Sequence, residues 1–133
     1  MRVVDLMQTK VRSITADAPI SELVHALADA RVSGLPVVDN HEHVIGVVSA
    51  GDVLRAAAGT NEDWEKPLPV SNETVGDIMS MTPYTIAPDA EAREAAKQML
   101  YADVRRLFVE DGGRLVGVIS QTDIAQAVGT GRL

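Results

Sequence analysis

Residues 46–52 read Gly-Val-Val-Ser-Ala-Gly-Asp, and residues 117–123 read Gly-Val-Ile-Ser-Gln-Thr-Asp. The second stretch repeats the glycine, the apolar pair, the serine and the aspartate of the first at the same spacing. In both, β-branched residues lead into a segment with helical character. A polar motif that recurs at the same strand-to-helix junction indicates that the chain contains one structural unit twice.

The similarity extends over most of the chain. Val3–Met7 aligns with Val75–Met79, and Val32–Asp39 with Val104–Asp111, in both cases 72 positions apart. The spacing falls to 71 at the motif, because the polar turn before it is one residue shorter in the second copy. The sequence predicts repeat 1 at residues 1–58, a linker at 59–74 and repeat 2 at 75–133. Trp64 in this linker either fixes it onto the domain or anchors a partner.

Each repeat is predicted to contain the same elements in the same order. A short helix opens it, with Thr74 and Asp77 as a capping pair in the second copy. A strand, an amphipathic helix beginning in the first copy with Pro19, a β-hairpin and a closing helix follow. The predicted strands are 13–15, 35–38 and 44–48, then 85–87, 107–110 and 115–119. The closing helices are 51–58 and 122–128, and Gly59 and Gly129 are their predicted stops.

The amphipathic helices are predicted to bury one apolar stripe each. Its members are Ile20, Leu23, Val24, Leu27 and Ala30 in the first copy, and Ala92, Ala95, Ala96, Met99 and Leu100 in the second. A half of about 55 residues buries little apolar surface by itself. We therefore expect an α+β fold in which two β-α-β-β-α repeats pack through their sheets with pseudo-twofold symmetry.

Composition excludes several classes of protein. The 133-residue chain has no cysteine, which removes disulfides, thiolate metal sites and thiol nucleophiles. A net charge of −7 argues against binding to nucleic acids or anionic membranes. No apolar stretch approaches the roughly 20 residues that span a bilayer, and no secretory signal opens the sequence. A cytoplasmic location is the expectation.

The repeated Ser-x-x-Asp has two interpretations. In the structural one, Ser49 and Asp52, like Ser120 and Asp123, cap the helix that follows. In the functional one, the free N–H groups at the strand-to-helix junction bind a phosphate and the aspartate accepts hydrogen bonds from a ribose diol. The motif lacks the Gly-Lys-Ser/Thr ending of a P-loop, so nucleotide hydrolysis is not implied.

The duplicated order of elements, with Val-Ser-Gly-Leu-Pro-Val-Val-Asp at residues 32–39 and Gly-Val-Val-Ser-Ala-Gly-Asp-Val-Leu at 46–54, resembles a tandem pair of CBS domains, or Bateman module. The resemblance covers residues 3–58 and 75–128. It implies a regulatory module, not an enzyme, whose clefts bind AMP, ADP, ATP or S-adenosylmethionine in many members. The resemblance implies that the fold needs no cofactor.

The resemblance also implies two composite clefts. The first joins Ser49 and Asp52 to Tyr84, Val104, Arg105 and Arg106. The second joins Ser120 and Asp123 to Arg12, Val32, Ser33 and Gly34. The first cleft has two arginines suited to phosphate and a tyrosine suited to stacking on a purine. The second has Ser33-Gly34 in place of the arginines. Phe108 replaces the proline that the first copy has at Pro36.

The structural alternatives stay open for these residues. In these alternatives, Arg105 and Arg106 are a solvated basic pair that balances the charges of Asp103 and Glu110. Tyr84 then only covers the seam between the repeats. His41-Glu42-His43 is interpreted as a solvated turn rather than a metal clip, because the sequence offers no third ligand. His25 is interpreted as a partly exposed helix residue without a catalytic partner.

Two functions remain after these exclusions. In the first, an adenine nucleotide binds a cleft and changes how the chain acts on a separate effector protein. In the second, the chain is an assembly module with vestigial pockets that forms a disc-shaped homodimer. The residues predicted to allow close helix contact in that dimer are small: Ala26, Ala30, Ala92, Ala95, Ala96 and Ala102.

Overall fold

The computed structural model describes residues 1–58, 73–81 and 83–133. Most of the predicted linker, including Trp64, and the predicted helix stop at Gly59 lie outside the described residues. The elements of the first repeat are α1 (Val3–Leu6), β1 (Ile14–Thr15), α2 (Ile20–Ala30), β2 (Gly34–Val38), β3 (Val44–Ser49) and α3 (Ala50–Ala58). Those of the second are α4 (Val75–Ile78), β4 (Thr85–Ile86), α5 (Ala92–Ala102), β5 (Arg106–Asp111), β6 (Arg114–Ser120) and α6 (Gln121–Gly129).

The fold is α+β, as predicted, with two three-stranded sheets. In the order β1-β2-β3, β1 is parallel to β2 and β2 is antiparallel to β3; β4-β5-β6 repeats this arrangement. The β-branched runs that predicted the two hairpins form β2–β3 and β5–β6. The packing of one sheet against the other stays a prediction.

The compact units do not follow the boundaries of the sequence repeats. One unit comprises Arg12–Pro83, and the other joins Met1–Val11 to Tyr84–Leu133. Each therefore contains the short helix of the other repeat. We call them the continuous unit (Arg12–Pro83) and the split unit (Met1–Val11 with Tyr84–Leu133).

Backbone hydrogen bonds fix the exchanged helices. In the split unit, Val3 N donates to Ala90 O at 2.8 Å, and Ala92 N donates to Met1 O at 2.8 Å. In the continuous unit, Val75 N donates to Ala18 O at 2.9 Å. Val3 and Val75 are both completely buried, so each short helix fills a place in the core of the unit it joins.

Each unit has its own hydrophobic core. Leu23, Leu35, Val37, Val48 and Val75 lie in the core of the continuous unit. The corresponding residues of the split unit are Ala95, Leu107, Val109, Ile119 and Val3. One sheet face in each unit is thus covered by helices of the same unit.

The structure corrects the predicted positions of Val24, Leu100 and Pro19 and confirms one predicted cap. Val24 is half-exposed and Leu100 is 78% exposed, so neither belongs to its helix's buried stripe. Pro19 is the cap before α2 and not its first helical residue: its backbone is extended, and its carbonyl accepts from Glu22 N at 3.1 Å. The cap predicted at Thr74 is confirmed, because Thr74 N donates to the Asp77 carboxylate at 2.9 Å.

The small residues predicted for dimer contacts are in part unavailable. Ala26, Ala92 and Ala95 are between 0 and 4% exposed and lie in the cores of their own units. Burial confirms that Ala92 and Ala95 belong to the predicted apolar stripe of α5, and it removes them, with Ala26, from the residues that could contact a second copy. Ala30, Ala96 and Ala102 are half-buried.

Candidate functional site

The two Ser-x-x-Asp motifs form the same helix cap. Ser49 N donates to Asp52 Oδ2 at 2.8 Å, and Asp52 N donates to Ser49 Oγ at 3.3 Å. At the start of α6, Ser120 N donates to Asp123 Oδ2 at 2.9 Å, and Asp123 N donates to Ser120 Oγ at 3.1 Å. The structural interpretation of the motif is confirmed. The cap uses only one carboxylate oxygen of each aspartate.

The second carboxylate oxygen has a different partner in each unit. Asp52 Oδ1 accepts from the guanidinium of Arg55, three residues later on α3. Asp123 Oδ1 accepts from Gln8 Nε2 at 3.3 Å, 115 positions away in the sequence. Neither Arg55 nor Gln8 was singled out from the sequence. Arg55 could have been found as an i,i+3 charge pair on a helix, whereas nothing in the sequence places Gln8 beside Asp123.

The repeated glycine of the motif permits a close approach of two backbones. Gln8 forms two hydrogen bonds with Val118, of 2.8 and 2.9 Å, next to Gly117. A Cβ at Gly117 would stand 2.8 Å from Gln8 O and 2.8 Å from Met7 Sδ. At Gly46 it would stand 2.6 Å from Ser80 O. The glycine therefore holds the segment after each short helix against the neighbouring strand.

Each unit brings two predicted site segments together. Ala50 N donates to Ser33 O at 2.9 Å, and Gly34 is paired with Ser49. Equivalently, Gln121 N donates to Arg105 O at 2.9 Å, and Arg106 is paired with Ser120. Val32 and Val104 are half-buried and pack on the cores of their own units. The composite clefts that combine residues of both repeats stay a prediction.

Arg105 and Arg106 lie at the entry to β5. Arg105 is exposed and Arg106 is half-buried. Among the described residues, neither guanidinium forms an ion pair within 4 Å, and the balance of their charge by Asp103 and Glu110 through solvent stays open. Their positive charge is available to an anion near the first residues of α6.

Tyr84 and Arg12 each have neighbours within their own unit. Tyr84 O accepts from Phe108 N at 3.0 Å, and the side chain, 47% exposed, lines a groove of about 390 Å³ with Lys97 and Tyr101. The Arg12 guanidinium pairs with the Asp29 carboxylate of α2 at 2.5 Å. The charge of Arg12 is thus paired with a carboxylate of its own unit.

A pocket of about 510 Å³ lies beside Asp123 in the split unit. It runs between α1 and α6, and Asp5, Gln8, Gln126 and Arg132 contribute polar groups to its wall. Asp123 and Gln8, whose side chains are hydrogen-bonded to each other, both line this pocket.

The His41–His43 turn is organised by Asp39. The Asp39 carboxylate accepts from His41 N at 2.8 Å and from His43 N at 3.0 Å, and Oδ2 lies 3.6 Å from His43 Nδ1. The backbone hydrogen bond from His43 is the main cause that lowers the pKa of Asp39. Within residues 1–58, 73–81 and 83–133, no group of three His, Asp or Glu side chains is arranged to hold a metal ion. In the same ranges no helix combines the length and the apolarity needed to cross a bilayer.

Comparisons with known proteins agree with this description. The family model described as "CBS domain" matches residues 3–59 and 75–130. An uncharacterised protein of Methanocaldococcus jannaschii is 27% identical over 126 residues, which are 95% of this chain and 42% of that protein. The inosine-5'-monophosphate dehydrogenase of the same organism is 30% identical over 115 residues, 86% of this chain and 21% of the enzyme. The chain thus spans less than half the length of these relatives.

Solved structures show the same fold. The CBS-pair protein CBSX2 from Arabidopsis thaliana is 26% identical, with a TM-score of 0.83 and coverage of 98% of this chain and 96% of that one. CBSX2 in complex with AMP gives a TM-score of 0.81 at 26% identity, with 97% of each chain covered. Matches to both repeats and to a whole CBS pair show that this chain belongs to the CBS-domain family and contains the domain twice.

Proposed function

We propose that this protein is a regulatory module that binds an adenosine-containing nucleotide and transmits its presence to a separate partner protein. The observation that carries the proposal is the pair Arg105–Arg106, two guanidiniums without ion-pair partners among the described residues, beside the start of α6. The CBSX2 structure in complex with AMP supports the ligand class, because that protein shares this fold at 26% identity.

The residues of the split unit supply the contacts that a nucleotide needs. Arg105 and Arg106 offer forked donors to a phosphate. Asp123 Oδ1, which accepts from Gln8 Nε2 at 3.3 Å, accepts from a ribose hydroxyl when Gln8 releases it. The half-exposed ring of Tyr84 offers a face to a purine in the groove that it lines with Lys97 and Tyr101.

The first test is a thermal-shift series with AMP, ADP, ATP, S-adenosylmethionine and NAD. A ligand at 100 times its dissociation constant stabilises the folded protein by about 2.7 kcal/mol, so a shift of several degrees is expected for at least one of them. Calorimetric titration then compares the wild type with Arg105→Gln/Arg106→Gln.

The matched control for this variant is Arg93→Gln, which removes an exposed positive charge from α5 of the same unit. The double variant is expected to weaken nucleotide binding at least tenfold, since each hydrogen bond between charged groups contributes about 1.5–3 kcal/mol. The control is expected to bind like the wild type. No shift with any of the five ligands, or equal binding by the double variant and the control, contradicts the proposal.

A second candidate function, assembly with another copy of the chain, rests on a different observation. Leu100 is 78% exposed and Tyr101 is 96% exposed on α5, so adjacent large side chains remain uncovered in the split unit. Sedimentation of the wild type and Leu100→Glu/Tyr101→Glu tests it. A dimer that the variant converts to monomers supports assembly through α5, and a monomeric wild type at micromolar concentration excludes it.

A further inference from the structure

The continuous unit lacks the arginine pair but has a cation at another place. Where the split unit has Arg105-Arg106, the continuous unit has Ser33-Gly34, which also adjoin their Ser-x-x-Asp cap. Arg55 stands three residues after Asp52 and contacts its carboxylate. The corresponding residue of α6 is Gln126, which is neutral. In the continuous unit a positive charge therefore lies on the first turns of α3, whereas in the split unit the two positive charges lie at the entry to β5.

The Arg55 guanidinium lies over the first turn of α3. A Cβ built at Gly51 would stand 3.4 Å from Arg55 Nη1 and 3.5 Å from Ser49 Oγ, both ordinary van der Waals distances. The guanidinium therefore lies near Gly51 as well as against the Asp52 carboxylate. In the second repeat a threonine, Thr122, occupies the position of Gly51.

Arg55 and Asp52 differ greatly in their exposure. The Asp52 side chain is 12% exposed, and that of Arg55 is 73% exposed. A carboxylate this buried is held in place by its cap, whereas the long arginine side chain is free to turn into solvent. The arginine is the partner of this pair that can move.

We propose that Arg55 makes the site at Ser49–Asp52 selective for nucleosides that carry a phosphate. This inference rests on the proposed function, because it concerns the same kind of site in the other unit. To bring its ribose to Asp52 Oδ1, a neutral nucleoside must displace the Arg55 guanidinium. The guanidinium then has no anionic partner. A nucleotide gives the displaced guanidinium a phosphate, to which its planar fork is well suited.

The experiment compares adenosine and AMP by calorimetric titration. Asp123→Asn is used as the background, since it removes the charge of the equivalent aspartate and leaves Asp52 intact. In this background AMP is expected to bind at least tenfold more tightly than adenosine. Arg55→Gln is expected to weaken AMP and strengthen adenosine, so that the ratio of their dissociation constants falls about tenfold or more. Arg55→Lys, which keeps the charge without the fork, is expected to give an intermediate ratio.

The control is Arg31→Gln, which removes an exposed positive charge from the same unit; its ratio is expected to equal that of the background. If AMP binds and Arg55→Gln leaves the ratio unchanged, the inference is wrong and the proposed function stands. If neither AMP nor adenosine binds to the wild-type chain or to the background, the inference is overturned, and the proposed function falls with it only if ADP, ATP, S-adenosylmethionine and NAD fail to bind as well.

Discussion

Substitution of Gly117 by alanine tests how the N-terminal segment is held in the split unit. The new Cβ would stand 2.8 Å from both Gln8 O and Met7 Sδ, closer than a Cβ normally approaches either atom. The methionine side chain can move, but Gln8 O belongs to the backbone and accepts the hydrogen bond from Val118 N. We expect the segment around Gln8 to be displaced from β6.

The expected loss of stability follows from these contacts. Two backbone hydrogen bonds between Gln8 and Val118 contribute about 1 kcal/mol each, and inserting a methyl group into a packed place costs about 1–3 kcal/mol. If the backbone shift relieves part of the clash, the free energy of unfolding falls by about 2–4 kcal/mol. With an m-value of about 2 kcal/mol/M in urea, the unfolding midpoint falls by about 1–2 M.

The assay is urea unfolding followed by circular dichroism, together with hydrogen exchange of the Val118 amide. Gly129→Ala is the matched control, because a Cβ at Gly129 meets nothing within 4 Å. That variant is expected to be as stable as the wild type or slightly more so, since alanine favours the helix. Equal midpoints for the two alanine variants, with unchanged exchange at Val118, would refute this account of the glycine.

Three further predictions concern other parts of the molecule. Val3→Ala is expected to destabilise the split unit by about 2 kcal/mol, because Val3 is fully buried there. Amide hydrogen exchange should then become faster in β5 and β6. Faster exchange in β2 and β3 instead would contradict the placement of α1 in the split unit. Leu23→Ala is expected to cost about 2–5 kcal/mol in urea unfolding, while Val24→Ala, at a half-exposed position, should cost less than about 0.5 kcal/mol. Because the pKa of Asp39 is lowered in the folded protein, its contribution to stability is present above its unfolded pKa and is lost as the pH falls through the folded one. Carboxyl NMR titration should place the midpoint of Asp39 below the usual value of an aspartate, and Asp39→Asn should remove this part of the acid dependence.

Much of the local structure was predictable because it depends on neighbouring residues. Ser-x-x-Asp fixes a cap within one helical turn, and the β-branched runs around Val37 and Val118 fix strands. Val24 was misplaced because it lies four residues after Ile20 and three before Leu27, a helical spacing that puts it at the exposed edge of the buried stripe. Periodicity alone does not show where a buried stripe ends.

The exchange of the short helices could not be predicted. The residues of α1 and α4 and their next neighbours read Val-Val-Asp-Leu-Met and Val-Gly-Asp-Ile-Met, so each suits the core of either repeat. The contact of Gln8 with Asp123 could not be predicted either, because residues so far apart in the sequence form no local pattern. The predicted Ser–Asp pairs were found from spacing, while the groups that surround them depend on the tertiary arrangement.

The division into a continuous and a split unit has a consequence for the order of events during synthesis. The continuous unit is complete once Pro83 has left the ribosome, and it can fold while translation goes on. Met1–Val11 is made before the continuous unit, yet Gln8 finds Val118 only when β6 has emerged. This segment thus waits until the continuous unit has been made, and the folding of the split unit carries the entropic cost of closing a loop that contains all residues of that unit.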